Sequence, residues 1–231
     1  MTENCLKGLA EKLPRGVTVH GFTPEPPAPS AVEGRVDAVL STAVCLRALA
    51  PIWQFYDGFL VCCFSNHPLI SALREEVEAP VLGIMEAALY ASRMCGNRLG
   101  VVTTSERSRL LHQQSITDYG LGSYSAGCAS SNVSVLGLEP LSVEQLNQSV
   151  VRAAKELVEQ RDADCCAGMT GMRETCEEAL NSKARKVMVV DGVSVGVQFL
   201  VALARDGLGT AKGGVYRPAK AAREARNQDW F

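Results

Sequence analysis

The sequence predicts an α/β protein of two similar lobes, each built on a parallel β-sheet with helices on both faces. Short apolar runs of strand length alternate with longer amphipathic runs of helix length along most of the 231 residues. This strand–helix order occurs twice, and the two halves meet near residues 95–98. Hydrophobic residues make up 47% of the chain, so each half has enough apolar surface for a core.

The elements of the first half follow from its apolar periodicity. Apolar runs predict strands at residues 17–22, 58–63 and 80–85, and amphipathic runs predict helices at 31–50, 69–77 and 86–95. A proline-rich loop at 24–29 separates the first strand from the first helix.

The second half continues the same alternation. It predicts strands at 99–103, 133–136, 163–166 and 187–190, and helices at 107–119, 143–160, 173–182 and 194–208. The helix at 143–160 has one apolar face, made of Leu146, Val150, Ala153, Leu157 and Val158. Residues 213–231 are rich in glycine, alanine and arginine, and we expect them to form a loose tail.

The alternation also predicts how the elements are arranged. Each helix brings the chain back to the end of the sheet where the strands begin, so the next strand runs parallel to the last. We predict two flavodoxin-like lobes related by a pseudo-twofold axis. The N-terminal lobe comprises residues 1–96 together with the returning segment 193–210, and the C-terminal lobe comprises 97–192. Ligands of such sheets bind at the carboxyl ends of the strands, so the cleft between the lobes is the expected small-molecule site.

The composition argues against several other classes of protein. A net charge of -2 and an aromatic content of 6% provide neither the basic surface nor the stacking side chains of a nucleic-acid-binding protein. No apolar stretch approaches the ~18 residues of a membrane helix, so no membrane partner is expected. The first residues lack the features of a secretory signal, which predicts a cytoplasmic protein. Its nine cysteines should then be free thiols, and with three histidines no metal site is predicted.

Four short segments carry the candidate chemistry. They are VCCFSNHP at 61–68, VVTT at 101–104, CAGM at 166–169 and DGV at 191–193. In this order and spacing the sequence resembles the hydantoin racemase family, within the aspartate/glutamate racemase superfamily. The resemblance extends from Met1 to about Lys212, and the His67-Pro68-Leu69 variant is similar to the fungal allantoin-cluster branch.

The resemblance implies a cofactor-independent racemase or epimerase of a cyclic ureide, hydantoin or allantoin. Cys63 and Cys166 would face one pocket, one as the thiolate that removes a proton and the other as the thiol that returns one. Each cysteine ends a strand and precedes a helix, whose N-terminus is expected to lower the thiol pKa. The expected substrate-binding groups are the backbone N–H groups of Phe64, Ser65, Ala167 and Gly168 and the hydroxyls of Thr103 and Thr104.

Each candidate residue also has a structural interpretation. A cysteine in an apolar strand is usually a small core residue. We expect Cys62 and Cys165, on the opposite strand faces, to be core residues, and Cys5, Cys45, Cys95, Cys128 and Cys176 to be core or surface residues. Thr103 and Thr104 are equally well explained as helix caps, His67 as a local hydrogen-bond partner, and Glu86 by its favourable place at a helix start.

The sequence departs from the family pattern at two places. Family members open with an apolar strand and an Asn-Pro-Asn turn that lines the pocket, whereas Met1-Thr2-Glu3-Asn4 matches the helix that follows that turn. We therefore expect the first lobe to lack its first strand and to be destabilised. The second departure is at residues 160–165, where Asp164 stands in place of part of an apolar strand. A buried carboxylate without partners would be costly there.

Three other functions remain open at this point. The departures would fit a truncated, non-catalytic ligand-binding homologue. Aspartate or glutamate racemisation is a sibling activity, although the C-F-S and C-A-G-M contexts favour the ureide class. The adjacent cysteines at 62–63 and 165–166 would suit a thiol redox sensor, but disulfides between neighbouring residues are strained. A homo-oligomer is also left open.

Overall fold

The computed structural model describes residues 2–133 and 142–228, which form two parallel sheets surrounded by helices. The first sheet pairs β1 (Phe59–Val61) with β2 (Val81–Gly83). The second contains β3 (Leu99–Thr103), β4 (Ser125–Ser130), β5 (Cys165–Ala167) and β6 (Met188–Val190), in the spatial order β4-β3-β5-β6. Within that sheet the order is 2-1-3-4, as in flavodoxin-like folds. The predicted α/β class with parallel sheets is confirmed.

Helices connect the strands and cover the sheets. They are α1 (Thr2–Leu9), α2 (Arg35–Leu49), α3 (Pro68–Glu76), α4 (Ile84–Cys95), α5 (Glu106–Asp118), α6 (Val143–Gln160), α7 (Arg173–Leu180), α8 (Gly192–Arg205) and α9 (Lys220–Glu224). Two short 3₁₀ helices lie at Trp53–Phe55 and Gly122–Tyr124. Among the described residues, no helix combines the length and apolar character needed to cross a bilayer.

Residues 17–22 are not the strand that their apolar pattern predicts. The segment pairs with none of the strands in the described residues and lies against α1, where Thr2 Oγ1 is 2.6 Å from Thr23 Oγ1. Val19 packs with Leu9 and with Val193 of α8, which uses the apolar side of the segment without a sheet. Phe22 is left exposed.

Strand β4 is not predicted by the apolar pattern of the sequence. Its sequence, SAGCAS, contains small residues instead of the β-branched and aromatic residues that usually mark a strand. Small side chains let α5 and α6 pack closely against this edge strand. The strand predicted at 133–136 is not found at Val133, and the rest of it lies outside the described residues.

Asp164 precedes β5 and is hydrogen-bonded, contrary to the expectation of a costly carboxylate. It accepts hydrogen bonds from the backbone N–H groups of Asn97 and Arg98, at 2.9–3.0 Å. These bonds fasten the start of β5 to the start of β3, its neighbour in the sheet. The carboxylate therefore replaces contacts that a longer apolar strand would make.

Two apolar clusters cover the faces of the second sheet. On one face Cys166 packs with residues of α6 and α7, including Leu157 and Leu180. On the other face Cys165 packs with Met85 and Leu89 of α4. The alternation along β5 thus sends its two cysteines to opposite faces.

The C-terminal region returns to the first half of the chain. Helix α8 packs on α4 and β1, and Gly196 of α8 leaves room for Leu60. Further on, Lys212 Nζ donates to the backbone oxygens of Arg74 and Glu75, and Arg223 forms an ion pair with Glu76. The tail from residue 213 onward therefore contains a short helix with a fixed contact, where a loose chain was expected.

Candidate active site

The segment after β1 presents Cys63 at the carboxyl end of the first sheet. The Cys63 thiol is half-buried, and its Sγ lies 3.2 Å from Ser65 Oγ. Burial raises the pKa of the Cys63 thiol, and the hydrogen bond with Ser65 only partly opposes this shift. The pKa of Cys63 is therefore raised, where the sequence predicts a lowered one, and desolvation is the main cause.

His67 holds the start of α3 through both nitrogens of its ring. Its Nδ1 accepts from the backbone N–H of Leu69 at 3.2 Å, which leaves the proton on Nε2 to donate to Ser41 Oγ at 3.1 Å. Burial lowers the pKa of this imidazole, so the ring stays neutral. The interpretation of His67 as a local hydrogen-bond partner is confirmed.

Cys166 lies within β5 and has no solvent-exposed surface. It packs in an apolar cluster with Val102, Cys176 and Leu180, and burial raises its pKa to about 12. Cys63 packs against a different cluster, which includes Cys45 and Leu69. No described contact joins the two thiols, so their pairing in one pocket stays a prediction.

The remaining cysteines divide between core and surface. Cys165 is buried, as predicted, but Cys62 is exposed. The strand ends at Val61, so the alternation that would have placed Cys62 in the core does not reach it. The other positions are buried at Cys45, Cys128 and Cys176, half-buried at Cys5 and exposed at Cys95.

Thr103 and Thr104 lie at the carboxyl end of β3, but neither caps α5. The capping residue is Ser105, whose Oγ accepts from the N–H of Ser108 at 3.1 Å. The Thr103 hydroxyl donates to the backbone oxygen of Ser105 at 3.2 Å, and the Thr104 hydroxyl donates to Ser108 Oγ at 3.4 Å. Both hydroxyls thus support the turn into α5, and their role as substrate ligands remains a prediction.

The backbone groups predicted to bind an oxyanion differ in their surroundings. The N–H of Ser65 already donates to the backbone oxygen of Cys63 at 2.8 Å, so it is not free in this structure. Ala167 is fully buried within β5. Gly168 follows it with a φ of 93°, and a Cβ there would lie 2.0 Å from the oxygen of Val102. Only glycine fits this close approach.

His112 and Tyr119 of the second half contact the Cys63 segment, and neither is among the site residues predicted from the sequence. The His112 ring of α5 packs edge-on against the Phe64 ring, and burial lowers the pKa of His112 to about 4, with the Phe64 backbone partly opposing this shift, so the imidazole is neutral. Tyr119, just beyond α5, donates from its hydroxyl to Asn66 Oδ1 at 3.1 Å. These contacts join positions far apart in the chain, so no local sequence pattern predicts them.

Asp191 caps α8 and reaches the loop that follows β5. One carboxylate oxygen accepts from the N–H groups of Val193 and Ser194, and the other accepts from the N–H of Gly171 at 2.8 Å. Glu86 plays a similar structural part at the start of α4, where it accepts from Gly83 N–H and pairs with Arg74 at 2.8 Å. Its predicted helix-start role is confirmed.

Comparisons with known proteins agree with this architecture. A profile of the Asp/Glu/hydantoin racemase family matches residues 1–200. An uncharacterized protein of Schizosaccharomyces pombe is 34% identical, over 94% of this chain and 92% of its own. A hydantoin racemase of Rhizobium meliloti is 30% identical, over 81% of this chain and 77% of its own. The crystal structure of an allantoin racemase from Pseudomonas fluorescens superimposes with a TM-score of 0.86 and 26% identity, covering 94% of this chain and 91% of that one.

Proposed function

Because the chain belongs to the Asp/Glu/hydantoin racemase family, and is therefore a racemase, we propose that its substrate is a five-membered cyclic ureide, hydantoin or allantoin. The observation that carries this proposal is the similarity, over nearly the whole chain, to an allantoin racemase structure. A hydantoin racemase at 30% identity supports the same substrate class. The other functions considered from the sequence have no comparable support.

We propose that Cys63 and Cys166 transfer the protons. The thiolate of one cysteine takes the proton from the stereogenic carbon beside the carbonyl, leaving an enolate. The thiol of the other cysteine gives its proton to the opposite face of that carbon. The product is the mirror image, and the thiol and thiolate have exchanged places. The reaction needs no electron transfer, so it is consistent with a cofactor-independent enzyme.

The raised thiol pKa values mean that this mechanism requires a step that deprotonates one of the two thiols. Burial raises the pKa of both Cys63 and Cys166, so the free protein holds both as thiols at neutral pH. One of them must lose its proton before the cycle can begin. The Ser65 hydroxyl favours Cys63 for this role, because its hydrogen bond stabilises the thiolate. Which thiol serves which enantiomer then follows from the face of the ring that each one meets.

The mechanism also requires that the substrate can reach the Cys166 thiol. Its thiol is closed off from solvent, and Met169 of the following loop is also buried. The proposal therefore requires the loop at residues 168–172 to move when the substrate binds. Thr103, Thr104 and the backbone N–H groups of Phe64 and Gly168 would then hold the ureide oxygens. A cytoplasmic location is part of the proposal, since all nine cysteines lie in the described residues as free thiols.

Proton exchange at a stereocentre tests the proposal directly. Enantiopure allantoin and a 5-substituted hydantoin are incubated with the protein in D2O, alongside enzyme-free samples. NMR follows deuterium entry, and circular dichroism follows the loss of optical activity. We expect both in the wild type. Racemisation should be lost in Cys63→Ser and in Cys166→Ser, and deuterium entry should persist at most for the enantiomer that the remaining cysteine deprotonates.

The matched control is Cys128→Ser, which alters another buried cysteine on a strand of the second sheet and should keep the activity. The absence of exchange in folded wild-type protein would contradict the ureide proposal. D- and L-aspartate and glutamate are tested in parallel, and racemisation of these alone would replace a ureide by an amino acid as the substrate.

A further inference from the structure

We propose that Asp191 is a positioning residue for the Cys166 side of the site. It ties the loop after β5 to the start of α8, and through α8 to the strand that precedes Cys63. This inference rests on the proposed two-cysteine racemisation. Asp191 belongs to the DGV segment and is buried, with 9% of its surface exposed.

The two carboxylate oxygens of Asp191 have separate partners. Oδ1 accepts from the backbone N–H groups of Val193 and Ser194, at 2.9 and 3.0 Å, and so caps α8. Oδ2 accepts from the N–H of Gly171 at 2.8 Å. A helix cap uses only the first oxygen. The second oxygen is therefore available to hold a loop that is twenty residues earlier in the chain.

The loop held in this way is the one that leads away from Cys166. Gly168 anchors its beginning against Val102 of β3, where no side chain fits. Its end contains a turn in which the N–H of Met172 donates to the oxygen of Met169 at 3.0 Å. Asp191 fixes Gly171 inside that turn. Met169 is buried in the cluster beside Cys166, so the bond from Gly171 to Asp191 is one of several attachments that hold the loop.

Helix α8 connects this loop to the other half of the site. Its first residue, Gly192, lies against the start of α4, because a Cβ there would be 2.3 Å from the oxygen of Ile84. Further along, Gly196 packs against Leu60 of β1, the strand that leads to Cys63. Asp191 thus stands at the junction between the Cys63 strand and the Cys166 loop.

Racemisation makes the position of this junction important. The two sulfur atoms must lie on opposite faces of one carbon, and an error of about 1 Å in such a geometry can lower the rate on the order of 10²-fold. Asp191 contacts neither sulfur among the described interactions, so its effect would come from holding the loop. A loose loop should slow proton transfer by Cys166 more than proton transfer by Cys63.

Substitutions can separate the two bonds of Asp191. In Asp191→Ser the hydroxyl still caps α8, since serine is as good a cap as aspartate, but one short side chain cannot also reach Gly171. In Asp191→Asn the amide oxygen can cap α8. The amide NH2 would then face the N–H of Gly171, and because both groups are donors the hydrogen bond to Gly171 is lost. The matched control is Ser142→Ala, which removes the cap of α6 and leaves this loop untouched.

The assay follows each enantiomer of allantoin in D2O by circular dichroism and NMR, with urea unfolding measured on every variant. For Asp191→Ser and Asp191→Asn we expect kcat to fall on the order of 10²-fold with KM nearly unchanged. The enantiomer deprotonated by Cys63 should still take up deuterium faster than it inverts. The other enantiomer should be slow in both reactions. Ser142→Ala should keep the wild-type kcat.

A wild-type kcat in both Asp191 variants would overturn this inference and leave the ureide proposal intact. An equal loss of deuterium uptake for both enantiomers that follows the loss of stability would also overturn it, since a merely structural residue would behave so. If the wild type neither racemises nor exchanges, the proposed function fails, and this inference fails with it.

Discussion

The imidazole of His112 stands edge-on to the ring of Phe64, with the ring centroids 5.7 Å apart and the planes at 66°. His112 belongs to α5 beside the second sheet, whereas Phe64 follows Cys63 at the end of the first sheet. The backbone of Phe64 partly opposes the lowering of the imidazole pKa that burial causes. The peptide next to Cys63 is thus held by a neutral, buried base from the other half of the chain.

Acid should weaken the fold through His112. Burial lowers its pKa to about 4, from 6.5, so protons bind more readily to the unfolded chain between those values. Stability is therefore full above pH 6.5 and falls as the pH drops towards 4, by about 3 kcal/mol in total for this one group. Urea unfolding at several pH values measures the slope. We expect a clearly shallower slope in His112→Phe, and an unchanged slope would contradict the assignment to His112.

Racemase activity should rise with pH through the neutral range. Because burial raises the pKa of both proposed thiols, the thiolate needed for proton removal becomes more abundant as the pH increases. We expect log kcat/KM to increase nearly in proportion to pH between about 6.5 and 8.5. Circular dichroism with the spontaneous rate subtracted provides the measurement. A plateau across this whole range would show that the reacting thiolate is already formed.

Gly168→Ala should be strongly destabilising. The new methyl group would meet the oxygen of Val102 at 2.0 Å, on a backbone with a φ of 93°. We expect a loss of about 3 kcal/mol or more, from strain and overpacking together. Gly171→Ala is the matched control, because its φ of 75° is also positive but no atom lies within 4 Å of the added carbon. It should lose only about 1–2 kcal/mol in the same urea unfolding experiment. Equal losses would refute the steric explanation.

Asp164→Ala should weaken the attachment of β5. It leaves the N–H groups of Asn97 and Arg98 without their carboxylate acceptor. Hydrogen bonds to a charged group contribute about 1.5–3 kcal/mol, and we expect a decrease of about 2 kcal/mol in the free energy of unfolding. The exposed Asp57 provides the comparison, since Asp57→Ala should change stability by less than about 0.5 kcal/mol. A similar small change at both positions would contradict the anchoring role.

The sequence predicts the elements that carry strong local signals. The predicted bounds of β3 and α6 coincide with the observed ones, because one is a compact apolar run and the other combines a single apolar face with a Ser142–Gln145 capping box. The failures have physical causes as well. Strand β4 is made of small residues. Residues 17–22 pair with no strand in the described part of the chain and pack on helices instead.

The candidate site is less predictable than the fold. The sequence motifs identify Cys63 and Cys166, but the exposure of Cys62 depends on where β1 ends, and the burial of Cys166 depends on α6 and α7. His112 and Asp191 act through contacts with Phe64 and Gly171, which are distant in the chain. Such contacts depend on tertiary packing, which leaves no periodic trace in the sequence.

The burial of Cys166 also means that the cysteines of this protein should differ in their reactivity towards electrophiles. Iodoacetamide or a hydroperoxide in solution would meet the exposed Cys95 first, because desolvation raises the pKa of Cys62 to about 12 and the sulfur of Cys166 is shielded by its neighbours. Brief alkylation should therefore label Cys95 and spare Cys166. If substrate binding moves the loop at 168–172, saturating ureide should speed the labelling of Cys166, the opposite of ordinary substrate protection.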